Sequence, residues 1–206
     1  MICDISSMRL TSLRQIDFDF PTVIYCNNNF LSNLDGLPSS VETLYCYSNR
    51  LTSLKGISPG IKQLYCGDNL LSSLKELEIT ALETLACSNN SIQSFVDLPH
   101  TVKSVCCYGN SLVSLSGLTD NFKELACRPN MDYSELPWST IYINGTDANE
   151  IRLRFINAKL KEMGLEEIAS LDKQKWEEIN AIWLDWKYKI GGEKYLESIY
   201  LLEVKR

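Results

Sequence analysis

Eight cysteines and a single histidine are the residues of this 206-residue chain with the widest chemical reach, toward metal binding or nucleophilic attack. A zinc site needs ligands paired at short spacing, with His or Cys partners close by. The close pair here is Cys106-Cys107, adjacent residues that an extended strand turns to opposite faces. His100 stands several residues before Cys106 and no base adjoins that cysteine in sequence, so a cysteine nucleophile has no evident activator. The expectation is a chain without catalytic residues, metal or cofactor. The cysteines instead keep a register, at 26, 46, 66, 87, 107 and 127, with asparagine three places later at 29, 49, 69, 90, 110 and 130.

Elements that place residues at steps of 20, 20, 21, 20 and 20 are the coils of a solenoid. Val41, Leu44, Cys46, Leu51 and Leu54 mark slots that are apolar in nearly every copy. One coil cannot bury such a set alone, so each must stack on the next. Strand alternation sends Leu44 and Cys46 inward and Thr43, Tyr45 and Tyr47 outward. About ten residues remain for each return path, and Pro38, Pro59 and Pro99 sit in it, which predicts extended segments or single turns over full helices. The asparagine column reads as scaffold, an amide turned inward to satisfy backbone groups of its own and the neighbouring coil.

The phrase Leu44-Tyr45-Cys46-Tyr47-Ser48-Asn49-Arg50-Leu51 returns as Leu64-Tyr65-Cys66-Gly67-Asp68-Asn69-Leu70-Leu71. It resembles the leucine-rich repeat, with Cys in the third apolar slot. The resemblance covers roughly residues 5 to 137, from a degenerate coil around Ile5 to Leu13 to a decaying one at Met131 to Leu136. The short period, with Leu37-Pro38, Ser58-Pro59 and Leu98-Pro99 in the linkers, is similar to the bacterial subtype of secreted effectors, and similar Cys-rich copies occur in giant-virus repeat proteins. It implies an α/β repeat fold: a right-handed solenoid of about six coils (1–137), short parallel β-strands, a largely non-helical convex side, and then a C-terminal helical domain (138–206). The implied function is a non-catalytic protein–protein interaction module, an effector that meets a host protein on its concave face. A second reading is the substrate-recognition fragment of an effector ubiquitin ligase. Such ligases pair similar repeats with a catalytic Cys domain, and no cysteine follows Cys127.

Charge and leader signals narrow the partners. The region 1–137 holds 9 Lys/Arg against 14 Asp/Glu and the remainder 11 against 12, so no basic stripe offers itself to a nucleic-acid backbone. The opening Met-Ile-Cys-Asp-Ile-Ser-Ser-Met lacks a basic region followed by an apolar run, and no stretch approaches membrane-spanning length. A reducing, cytoplasmic setting is expected, reached by an effector without a classical signal peptide. Six cysteines in a repeat slot answer a packing demand, so they are expected to be reduced core thiols. Asn144-Gly145-Thr146 reads as a turn before a helix.

The outward columns form the candidate binding surface. The middle one runs Tyr25, Tyr45, Tyr65, Ala86, Cys106, Ala126; beside it lie Asn27, Tyr47, Gly67, Ser88, Tyr108, Arg128; at the strand exit stand Phe30, Arg50, Leu70, Ser91, Ser111, Met131. Tyrosine combines a large apolar body with a polar tip and few rotatable bonds, which suits a contact residue. Tyr25, Tyr45, Tyr47, Tyr65, Tyr108, Arg50 and Arg128 are therefore the expected partner contacts. Beyond Pro137, Ile141-Tyr142-Ile143 reads as a strand and Asp147 as the cap of a helix over 148–163 that Gly164 stops. A second helix begins near Asp172, with Trp176, Ile179, Trp183, Trp186 and Ile190 on one face. A third is expected over 193–204, the set serving to cover the open end of the solenoid.

Overall fold

The computed structural model describes residues 1–77, 81–127, 140, 142–144, 146–162 and 164–188. They divide into two compact units, Met1–Gly145 and Thr146–Arg206.

The first unit is a parallel-strand solenoid with a period of about 20 residues, the architecture that the repeat resemblance implies. Its strands are β1 (Ile2–Asp4), β2 (Val23–Tyr25), β3 (Thr43–Tyr45), β4 (Gln63–Tyr65), β5 (Thr84–Ala86), β6 (Ser104–Cys106), β7 (Glu124–Ala126) and β8 (Tyr142–Ile143). Each pairs in parallel with the next in chain order, so Leu44 lies beside Leu64 and Tyr45 beside Tyr65. The opening strand lies upstream of the expected start at Ile5, and it aligns Asp4 with Tyr25.

The interior is the apolar column set foreseen from the repeat. Ile24, Leu44, Leu64 and Leu85 on the strands, and Leu31, Leu51, Leu71 and Ile92 after them, are fully buried. Cys26, Cys46, Cys66 and Cys87 are equally buried, while Cys106 is half-buried on the opposite side of β6. Cys3, Cys26, Cys46, Cys66, Cys87, Cys106 and Cys107 are free thiols. The return paths carry two short 3₁₀ turns among the described residues, Leu13–Gln15 and Lys75–Leu77, and no α-helix. Gly117 sits in a separate hydrogen-bonded turn of a later return path at φ +100°, where a Cβ would collide with the Phe95 carbonyl oxygen of the preceding coil. Only glycine fits there.

Asparagine ties each coil to the one before it. Asn69 Oδ1 accepts from Leu51 N at 2.9 Å while its Nδ2 donates to the carbonyls of Cys46 and Cys66, both at 3.1 Å. Asn29, Asn49, Asn90 and Asn110 repeat the arrangement at 2.9–3.1 Å. One side chain thus closes three backbone groups at the point where the strand ends and the chain bends, groups that burial would otherwise leave unsatisfied.

In the second unit, α1 (Ala148–Glu162) starts where Asp147 Oδ1 accepts from Asn149 N at 2.8 Å. It ends toward Gly164, whose φ of +75° and N–H hydrogen bond donated to Lys161 O at 3.1 Å make a left-handed stop. Helix α2 (Lys173–Tyr188) is capped by Asp172, which accepts from Lys175 N at 2.8 Å. Ile156, Leu160, Trp176 and Ile179 are buried, with the rings of Phe155 and Trp176 6.3 Å apart. Arg152 is buried beside them, its guanidinium 5.7 Å from the Trp176 ring, and burial lowers its pKa to about 10. The side chains of Trp183 and Trp186, Ile190, and the expected helix over 193–204 lie outside the described residues. Among the described residues no helix is long and apolar enough to cross a membrane.

Candidate functional site: the parallel-strand face

Because parallel strands in register place identical slots side by side, the tyrosines of β2, β3 and β4 meet on the outer face. Tyr25 and Tyr45 stack with ring centroids 4.4 Å apart and planes within 7°; Tyr45 and Tyr65 stack at 4.3 Å and 4°. Aromatic pairs left to themselves favour offset or edge-on packing. Here the backbone spacing of about 4.8 Å between strands imposes a near-parallel column. The three rings are half-buried rather than open, since each covers its neighbour's face. Burial, and then the adjoining Tyr65, raises the Tyr45 pKa, so the central hydroxyl of the column stays protonated at physiological pH.

Asp4 heads the same column, one strand before Tyr25. Its carboxylate accepts from Ser6 N at 3.0 Å, which holds its pKa below the usual value and keeps it charged. Sequence reasoning missed it because the first coil lacks the Cys and Asn of the repeat. The spacing of 21 residues between Asp4 and Tyr25 was the available signal.

The column changes character after β4: Ala86, Cys106 and Ala126 occupy the next slots. Tyr47 and Tyr108, one column over, are exposed at 38% and 41%. Between them Gly67 and Ser88 add no bulk, and a Cβ at 67 would press on the Ser88 carbonyl oxygen at 3.2 Å. The Tyr108 hydroxyl donates to Asn144 Oδ1 at 2.9 Å, and the same oxygen accepts from Cys127 N at 2.8 Å. Asn144 is thus an anchor for the site, drawn from the turn after β8.

Arg50 projects at the strand exit, with its guanidinium 4.6 Å from the centroid of the Phe30 ring. That cation–π contact fixes a long side chain at the surface. The upstream ends of the strands carry ion pairs instead, Glu42–Lys62 at 3.0 Å and Glu83–Lys103 at 2.9 Å. Of the expected contact residues, Tyr25, Tyr45, Tyr65, Tyr47, Tyr108 and Arg50 all project from the strand face or its exit rim. Arg128, like Met131, lies outside the described residues.

Cys106 is the ladder's outward exception. Its sulfur lies 3.5 Å from Ser88 Oγ. The interior thiols differ: burial pushes Cys26 and Cys66 up to about 12 and raises Cys46, Cys87 and Cys107 as well. Such thiols stay protonated and inert at neutral pH. Among the described residues no group of three His, Cys, Asp or Glu could hold a metal ion. The geometry offers aromatic faces, a fixed cation and hydrogen-bonding tips, which are the means of non-covalent recognition. No protein-family model and no curated protein matches this chain.

Proposed function

We propose that this chain is a non-catalytic recognition module that holds a protein partner on its parallel-strand face. The observation that carries this reading is the pre-formed aromatic surface, Tyr25, Tyr45 and Tyr65 stacked at 4.3–4.4 Å with Tyr47 exposed beside them. Rings already held in place lose little freedom when a partner arrives, so more of their contact energy goes into affinity. Solenoid repeats commonly serve this purpose, because stacking creates an extended surface that no single coil could offer. The proposed setting is a bacterial effector that occupies a host protein, supported by the likeness of the repeat phrase to that subtype.

Affinity capture from host-cell lysate tests the reading. The intact chain is expected to retain a specific protein, and Tyr45→Ala combined with Tyr65→Ala is expected to lose it while keeping the same circular dichroism spectrum. Full retention by the folded double variant would remove the face as the site.

A further inference from the structure

Resting on the strand face as the recognition surface, we propose that it contains a seat for an aromatic side chain of an acidic peptide segment. Gly67, Ala86 and Ser88 form its floor and Tyr47 and Tyr65 its walls. The tyrosine column stops one ring short: Tyr65 is stacked on Tyr45 at 4.3 Å, and β5 sets Ala86 in the next slot. Among the described residues no ring covers the Tyr65 face on that side. A partner's ring laid over Ala86 would continue the stack at the spacing the strands already dictate, about 4.8 Å. The half-buried Cys106 thiol lies one strand further on, at the distance where sulfur contacts an aromatic ring favourably, about 5 Å.

The neighbouring column opens the same space sideways. Tyr47 and Tyr108 stand three coils apart, about 14 Å by strand spacing, with only Gly67 and Ser88 between them. Tyr65 is held by its stack before any ligand arrives, and the Tyr108 hydroxyl, drawn to Asn144 at 2.9 Å beyond β7, leaves the space over Ser88 open. Charge decides which aromatic segment fits. Lys62 and Lys103 are matched by Glu42 and Glu83, whereas Arg50, three residues beyond Tyr47, has no carboxylate within ion-pair distance among the described residues. A guanidinium fixed on Phe30 at 4.6 Å and lacking a carboxylate calls for one from the partner.

The test uses the full chain, with the Ala86 methyl and Gly67 amide followed by NMR during titration with N-acetyl-Trp-Glu-amide. Both signals are expected to move by ring current. The Leu-Glu analogue is expected to leave them in place, and either the Trp-Gln analogue or Arg50→Gln to raise the half-saturating concentration at least threefold. Ala86→Tyr, which fills the seat by adding a fourth ring, is expected to keep the melting temperature and hold the Gly67 amide still. Silent signals with Trp-Glu, or equal movement with Leu-Glu, would overturn the seat. If they are silent while Tyr45→Ala/Tyr65→Ala still abolishes capture, the face stands and the seat alone falls; if capture also survives, both fall. Movement of the same signals on concentrating the protein without probe, with a dimer in sedimentation, would assign the space to a second copy and overturn the peptide.

Discussion

The interior and the strand face are built from the same coils, yet they behave in opposite ways. Inside, Asn29, Asn49, Asn69, Asn90 and Asn110 make the same bonds in coil after coil. Outside, the Tyr25, Tyr45, Tyr65 column gives way to Ala86, Cys106 and Ala126. The interior must repeat because each coil is the only wall its neighbours have. The face is under no such constraint, so variation there carries information about what the molecule meets. Stability should therefore be vulnerable at the interior, and recognition at the face.

Alkaline pH should expose that difference most strongly. The buried thiols of Cys26 and Cys66 sit at about 12 in the folded chain against about 9 for an exposed thiol. The unfolded state therefore gives up its protons first. The stability these thiols contribute is complete below about pH 9 and is lost as pH climbs toward 12, at about 1.4 kcal/mol per pH unit for each thiol. Thermal unfolding followed by circular dichroism should show the midpoint falling steeply between pH 9 and 10. In Cys66→Ala the slope should be shallower by one thiol's share.

Next in size is Asn69→Leu. It strands the Leu51 amide and removes a donor from the Cys46 and Cys66 carbonyls, at about 1–3 kcal/mol for a buried group left without a partner. Urea denaturation measures it, and an unchanged midpoint would break the comparison on its interior side. Tyr45→Ala removes two stacked contacts from the half-buried column and should cost about 1–2 kcal/mol while abolishing partner capture. Lys62→Ala is expected to change stability by less than about 0.5 kcal/mol, since its pair with Glu42 is half exposed. A thiol reagent applied to the folded chain should modify Cys106 and Cys3 while the buried Cys26, Cys46, Cys66 and Cys87 stay protected, with mass spectrometry as the readout.

The legibility of the chain follows the same division. Period, strand placement after the first coil, inward thiols and the asparagine staples could all be read from spacing, because stacking forces each slot to obey its neighbours. The outward set could be read as columns, but its stacked geometry could not, since ring planes depend on strand register to within an ångström. Asp4 and Asn144 stayed hidden because both lie outside the repeat phrase, where no copy reveals their role. In the second unit, the capping residues Asp147, Asp172 and Gly164 were legible because helix ends have chemical signatures. The buried Arg152 was not, as nothing in a single helix turn marks a guanidinium for the interior.

Site-specific photocrosslinking addresses the division of labour most directly. With p-benzoylphenylalanine at Tyr47 on the strand face, 38% exposed, or at Val113 on a return path, 80% exposed, a captured protein should be joined at position 47 and not at 113. Crosslinks at Val113 with none at Tyr47 would contradict recognition through the strand face.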